Sequence, residues 1–377
     1  MSLSVLICRS NPIDPDPRVA KAARTLAAAG YTVGVVAWDR TGELPITIQS
    51  DGYQIYRLPI RSAYARGLMN FPQLLRWQLG LLKWLVAHRK EYDLIHACDF
   101  DTVLPALICK KALGKHVIYD IFDFYADHLR ATPDIVKRLI RWVDLKTINQ
   151  VDAVILVDDY RKIQISRARP KRLEIIYNSP EDVYPPPVNR AKTRNAHRLT
   201  LAYIGLLQIE RGLLELLAVL QAHPAWQLEL AGFGGDEERI YSLASQLPNV
   251  RWHGRIPYQQ TIQLSSAADV LIATYDPSIQ NHRFASPNKV FEAMMLGKPV
   301  IVSKHTNVDQ LISNMECGIV VNYGDTSELE KALALLADDP DFRHRLGSNA
   351  RKAYETRFSW DICRDRLLNL YTNISRG

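Results

Sequence analysis

The sequence predicts an α/β fold of two doubly wound, Rossmann-like domains, and three observations predict it. Short β-branched strands alternate with helical patterns through the first half, a proline-rich segment interrupts the rhythm, and the alternation then restarts. Alternation of this kind argues parallel strands joined by crossover helices. At 377 residues the chain can bury two separate cores, and its 47% hydrophobic and 23% charged residues exclude disordered and fibrous classes.

In the first half the strand patterns are SVLIC at 4–8, YTVGVVAW at 31–38, YDLIHA at 92–97, KHVIYD at 115–120 and VDAVILV at 151–157. The segment at 178–198 carries four prolines, mixed charge and no apolar periodicity, so it reads as the interdomain linker. Strand patterns return as LTLAYIG at 199–205, WQLELAG at 226–232, NVRWHG at 249–254, ADVLIAT at 268–274, KPVIVS at 298–303 and CGIVVN at 317–322. The expected organisation is an N-terminal domain over 1–180, a linker over 181–198, a C-terminal domain over 199–357 and a closing helix over 358–377. That helix has Trp360, Cys363, Leu367, Leu368 and Tyr371 near helical spacing, which predicts one buried face. Open α/β sheets bind ligands at the carboxyl ends of their strands, so the functional residues are expected in strand-to-helix loops lining a central cleft.

The five cysteines form no CxxC pair and suit reduced thiols used as small apolar side chains. No run of eighteen apolar residues occurs, and the N-terminus reads directly as a strand, so the sequence predicts neither a signal peptide nor a membrane span. The expected location is the cytoplasm. Lys plus Arg exceed Asp plus Glu by 47 to 40. That excess favours anionic partners, but the basic residues form no concentrated stripe of the kind nucleic acid requires.

The most informative piece is FASPNKVFEAMMLGKPVIVS at 284–303. Ser286 and Pro287 supply an N-cap and a first-turn proline for a short helix ended by Gly297. A helix N-terminus binds anions through its unpaired amides and its dipole, and Lys289 adds a full charge beside Asn288. Glu292 lies one turn on, on the same face, where its carboxylate can accept bonds from a ribose diol. The same spacing also describes an exposed i,i+3 ion pair, and spacing alone leaves both readings open. Gly205 lets backbone approach a phosphate or simply ends a strand, and Gly232 begins a glycine-rich turn that a plain βα connection explains equally well.

The run PNKVFEAMMLGKPVIVS resembles the donor-binding signature of family-4 retaining glycosyltransferases of the GT-B fold, also described as glycosyltransferase group 1. Segments 16–38, 202–220 and 230–240 are similar to other parts of that family, so the resemblance covers almost the whole chain. It implies two Rossmann-like domains facing a cleft, a C-terminal helix packing back on the first domain, and a nucleotide sugar (UDP-, GDP- or dTDP-linked) as donor without an obligatory cofactor or metal. It also implies that Glu292 holds the ribose and that a basic pair after the glycine turn holds the phosphates. At the first position of that pair this chain has Leu206, and Arg211 matches the second. Where the family places a sugar-contacting glutamate, eight residues before Glu292, stands Phe284, with Asn281, His282 and Arg283 nearby as substitutes.

In the first half, Asp16 and Pro17 predict the start of a helix after the loop that holds Asp14, and Arg18 either meets a phosphate or is solvated. HACDFD at 96–101 ends a strand with His96 and Asp99, and the resemblance expects a histidine where Cys98 stands. The Asp-x-Asp of this segment lacks the further ligands a cation needs. YDIFDFYADH at 119–128 gathers Asp120, Asp123 and Asp127, which serve either acceptor contacts or helix capping, with Asp123 the best acidic candidate. The resemblance implies front-face substitution with retention. Stabilising the leaving diphosphate then falls to Lys289, Arg211 and the helix amides; Asp123 and Asp99 are the further catalytic candidates, and Arg18, Asp14, His96 and Asp120 the acceptor-side ones.

Finally, 61–90 sets Trp77, Leu81 and Trp84 among scattered Arg and Lys, which suits either a helix packed on the first sheet or peripheral contact with an anionic membrane face. A lipid-linked acceptor would suit the second. The expected function is transfer of a sugar to a glycan or glycolipid acceptor. A catalytically degenerate nucleotide-sugar-binding scaffold and a GT-B sugar-nucleotide epimerase are the alternatives.

Overall fold

The computed structural model describes residues 3–13, 16–62, 71–129, 132–183 and 198–375. The chain divides into two compact units, Met1–Tyr177 with Cys363–Gly377, and Asn178–Ile362.

The first unit is an eight-stranded sheet of β1 (Ser4–Arg9), β2 (Thr32–Asp39), β3 (Thr47–Ser50), β4 (Tyr53–Pro59), β5 (Leu94–Cys98), β6 (His116–Ile121), β7 (Ala153–Leu156) and β8 (Leu173–Ile175), in the order β3-β4-β2-β1-β5-β6-β7-β8. All neighbours run parallel except β3 and β4. The central strands are buried on both faces, as β5 shows at every position, because helices cover both sides. The β3–β4 hairpin and β8 extend beyond the strands that alternation predicts. Asp51-Gly52 between two alternating runs is the hairpin's sequence signal, with Gly52 in the left-handed region at φ 82°.

Between its strands the described residues form the α-helices α1 (Pro17–Ala28), α2 (Phe71–Ala87), α3 (Phe100–Leu113), α4 (Tyr125–His128) and α5 (Asp134–Ile148). As expected, Asp16 caps α1 by accepting the Val19 amide at 3.1 Å, with Pro17 at the first position. The crossovers through α2, α3 and α5 all advance toward β7, so right-handed connection puts these three helices on one face of the sheet. There α2 packs on α3, and α3 on α5. The crossover through α1 runs the other way and places it on the opposite face.

The second unit is an all-parallel sheet of β9 (Thr200–Leu206), β10 (Gln227–Phe233), β11 (Val250–Gly254), β12 (Val270–Ala273), β13 (Val300–Ser303) and β14 (Gly318–Val321), one strand for each predicted pattern. Its order is β11-β10-β9-β12-β13-β14, a doubly wound order with its switch point between β9 and β12. Its helices are α6 (Leu213–Ala222), α7 (Glu237–Ala244), α8 (Tyr258–Ala267), α9 (Asn288–Met295), α10 (Val308–Met315), α11 (Thr326–Asp338) and α12 (Pro340–Ala353). Leu201, Tyr203, Leu216, Leu228, Leu230 and Leu333 are among the side chains that form its core.

The last helix, α13 (Trp360–Ser375), belongs to the first unit from Cys363 onward. Its buried face there is Cys363, Leu367, Leu370, Tyr371 and Ile374. Leu370 thus takes the place predicted for Leu368, which is only half-buried. The five cysteines are all buried thiols. No helix among the described residues is long and apolar enough to cross a membrane. Most of the predicted linker lies outside the described residues, as do Asp14 and residues 63–70 of the basic segment.

Candidate active site

The switch point of the second unit gathers the predicted donor residues. Gly205 and Gly232 lie side by side in register near the ends of β9 and β10. A Cβ on Gly232 would fall 1.8 Å from the Gly205 carbonyl oxygen, and one on Gly205 would fall 3.1 Å from Lys289 Nζ. Both glycines have φ near 150°, which side chains rarely adopt. The strand end must therefore stay bare for Lys289 to reach it.

Lys289 comes to that place from the first turn of α9. Its ammonium lies 3.7 Å from the centroid of the buried Tyr203 ring, whose hydroxyl donates to the Leu206 carbonyl at 2.6 Å. Arg211, in the 3₁₀ turn Ile209–Arg211, stacks 4.4 Å from the Tyr275 ring, and its carbonyl accepts from Thr274 Oγ1 at 2.7 Å. The Arg211 Nε is buried with no hydrogen-bond partner. Burial, then the charge of Arg211, push the Lys289 ammonium down to about 7 against the pull of Glu292. Two neighbouring cations and an unmet donor are features that an anion would relieve.

The side chain of Leu206 is exposed. The cation beside the glycine turn is Lys289, delivered from another loop, and the charge of Arg211 is near enough to act on it. At the head of α9 the Val290 amide bonds the Pro287 carbonyl, whereas the amides of Asn288 and Lys289 have no acceptor within the helix by geometry. Ser286 does not cap α9. The capping position is Pro287, with no side-chain cap bond, and the Ser286 carbonyl instead accepts Asn178 Nδ2 at 2.9 Å.

Glu292 is only 6% exposed, which rules out a solvated surface ion pair with Lys289. Tyr258, at the start of α8, hydrogen-bonds it, and burial followed by the Glu292 charge raises the Tyr258 hydroxyl pKa. Tyr258 escaped sequence reasoning because nothing in its local pattern links it to a glutamate on another helix. Phe284 ends a 3₁₀ turn, Gln280–Phe284, in which His282 is buried with Nδ1 at 3.0 Å from the Asp276 carbonyl. His282 therefore anchors the turn through Nδ1; Arg283 is exposed and Asn281 half-buried.

In the first unit the predicted acceptor-side residues bond mainly to one another. Arg18 is neither solvated nor turned outward: it holds Asp120 through two bonds of 2.9 and 3.1 Å and donates to the Ile176 carbonyl at 2.7 Å. His96 lies between Asp120, 3.2 Å from Nε2, and the Tyr371 hydroxyl, 2.6 Å from Nδ1. Burial alone would raise the Asp120 pKa, but Arg18 and His96 hold it below the usual carboxylate range. Arg18, His96 and Asp120 thus form a buried network of mutual bonds. His96, Cys98 and Asp120 bring potential metal-ligating atoms within 4.8 Å of one another, yet both imidazole nitrogens already have partners and burial raises the Cys98 thiol.

Asp99 and Asp123 also have partners within this unit. Asp99 precedes α3 with φ 65°, accepts the amides of Phe122 and Asp123 at 2.8 and 3.3 Å, and pairs with Arg9. Burial pushes its carboxyl up to about 6 despite Arg9. Arg9 also bonds Asp16 at 3.1 Å and lies 4.0 Å from the Phe122 ring centroid. Asp123 meets the buried Arg161 at 2.7 Å, and Asp127 meets Arg141 and Gln164. None of these carboxylates caps α4, whose capping position is Phe124.

Two Rossmann-like units, one with a bare glycine turn, a cation pair and a buried glutamate at its switch point, define a GT-B glycosyltransferase. The family model described as "Glycosyltransferase Family 4" matches residues 18–179, and that described as "Glycosyl transferases group 1" matches residues 188–353. Together they span most of the chain, and the protein belongs to this family of enzymes. It is similar to a GDP-mannose-dependent monoacylated alpha-(1-6)-phosphatidylinositol monomannoside mannosyltransferase of Corynebacterium glutamicum, 30% identical over 154 residues, a match that spans 40% of each chain. Glycogen synthase of Mycobacterium tuberculosis is 22% identical over 93% of this chain and 89% of its own. Among solved structures, sucrose-phosphate synthase from Thermosynechococcus elongatus superposes with a TM-score of 0.83 at 19% identity over 99% of both chains. Anabaena HepE in complex with UDP-glucose does so at 0.70 and 16% identity, over 98% of this chain and 100% of its own. These structural likenesses establish the fold.

Proposed function

We propose that the enzyme transfers a sugar from a UDP-, GDP- or dTDP-sugar to a glycan or lipid-linked acceptor with retention of anomeric configuration. The observation that carries this reading is the Lys289 ammonium set against Gly205 with the charge of Arg211 acting on it, and Glu292 buried one turn behind. In this scheme the diphosphate lies between the two cations, and Glu292, held by Tyr258, accepts the ribose hydroxyls. As the glycosidic bond breaks, negative charge grows on the leaving diphosphate, where two pre-placed cations and helix amides stabilise it more than the ground state. A diphosphate oxygen assists loss of the acceptor proton on the same face, so no protein nucleophile is needed. Residues 199–357 form the donor side and 1–180 the acceptor side.

A lipid-linked acceptor is supported by two facts. The corynebacterial relative is named for a phosphatidylinositol mannoside, and the described part of the basic segment, α2, leaves apolar side chains in solvent. We place the enzyme at the cytoplasmic face of a membrane on that ground.

The test is a panel of UDP-, GDP- and dTDP-sugars, with and without acceptor, following nucleotide release and product anomer. Transfer requires the acceptor, and epimerisation does not. A second reading, a binding scaffold without turnover, is favoured by Phe284 at the sugar-reading position; donor binding with no product under any acceptor would establish it. Intact donor binding in Lys289→Ala and Glu292→Ala would remove the site from unit two's switch point.

A further inference from the structure

On the helical face of the first sheet, two helices turn apolar side chains outward. On α2 the inner face is Trp77, Leu81 and Leu85, all fully buried, yet Phe71, Leu75, Leu79 and Val86 are exposed along the opposite side. On α5, Ile135, Leu139 and Trp142, at spacings of four and three residues, are exposed by 70%, 59% and 58%. These three form one stripe, turned away from the buried Asp144, Thr147 and Ile148. Between the two helices, α3 exposes Ile108. With neighbouring axes roughly 10 Å apart, the outer faces of α2, α3 and α5 make one continuous layer on the order of 20 Å across.

The charges on this layer choose its partner. Helix α2 contains no acidic residue, and its exposed charges are Arg76 and Lys83. On α5 the exposed cations are Arg138, Lys146 and Arg141, the last already paired with Asp127, and the acidic residues are Asp134 at the N-terminus and the buried Asp144. Lys146 Nζ lies 5.9 Å from the Trp142 ring centroid. Protein interfaces deplete lysine at their apolar centres, whereas a bilayer interface takes tryptophan at headgroup depth with Lys and Arg among anionic phosphates.

We propose that α5 and α2 together dock this unit on an anionic bilayer surface, with Trp142 as the interfacial anchor and Ile135 and Leu139 inserted beside it. The proposal rests on α2 as a membrane-facing helix, which it extends to a second helix far along the chain.

Flotation of the full chain with vesicles of phosphatidylcholine alone, or mixed equally with phosphatidylglycerol, tests it. Binding is expected only to the anionic vesicles and should weaken with salt. Leu139→Glu with Trp142→Glu should lower it at least about tenfold, by loss of apolar burial, with unchanged melting temperature and nucleotide affinity. Trp142→Phe should remove a component of tryptophan quenching by brominated lipid. If Leu79→Glu abolishes binding while the α5 variants bind like the parent, the α5 inference fails and the α2 reading survives. If no vesicle binds, both fail. If sedimentation shows a dimer that Trp142→Glu dissociates, the face joins copies of the chain and the proposal is overturned.

Discussion

The first sheet reverses its strand order between β1 and β5 as the second does between β9 and β12, and the two switch points are finished in opposite ways. In the first unit, the ends of β1, β5 and β6 carry Arg9, Asp99 and Asp120, and each charge meets an opposite one. In the second, the end of β9 faces Lys289 and Arg211, two like charges with a buried donor unmet. A closed network holds a fold together and has little left for a ligand; an open cation pair is strained alone and is relieved by an anion. Charge at a strand end thus locates a site only when its partners are missing.

The comparison breaks most sharply at Arg18. Arg18→Ala leaves Asp120 buried without its main counter-charge and should destabilise the first unit by about 3–5 kcal/mol. Urea unfolding reads this as a lower midpoint, and titration with nucleotide at low temperature should find the donor site of the second unit unchanged. A small effect would mean that the network is less closed than its geometry.

Lys289→Ala inverts the pattern. Removing one of two crowded cations should leave stability equal or slightly higher while diphosphate affinity falls by about 1.5–3 kcal/mol, the worth of a charged hydrogen bond. Calorimetric titration with UDP and GDP measures it. Equal losses for both nucleotides are expected, because the lysine reads phosphate and not base.

The pH dependence is of intermediate size and its sign follows from Lys289. With its pKa about 7 in the folded protein and the ordinary lysine value of 10.5 when unfolded, the unfolded chain binds more protons between these limits. The ligand-free protein should therefore gain stability from this residue as pH rises from about 7 toward 10. Diphosphate favours the charged lysine, so its affinity should fall above pH 7 by up to about tenfold per unit, with proton uptake on binding. Titration in buffers of different ionisation enthalpy detects that uptake, and Lys289→Met should abolish it.

The smallest effect is expected at Tyr258. Tyr258→Phe removes one hydrogen bond from Glu292 and should cost about 1 kcal/mol of ribonucleotide affinity. A 2′-deoxynucleotide should be affected less, and equal effects on both would separate Glu292 from the ribose.

The sequence by itself determined the strand-and-helix alternation, the strands of the second sheet, the Asp16 cap and the candidacy of Lys289, Arg211 and Glu292. These rest on short-range rules: apolar period, capping residues and glycine turns act within a few positions of the chain. Tertiary structure decided which charges are satisfied. Arg18 and Asp120 lie 102 residues apart, and His96 and Tyr371 lie 275 apart. No local pattern distinguishes those residues from Lys289, although one set closes on itself and the other does not. That Lys289 reaches Gly205, next to Leu206, shows only in space, because the lysine arrives from another helix. A motif names the residue types that could meet a phosphate; whether they remain open to it depends on partners that only the folded chain brings within reach.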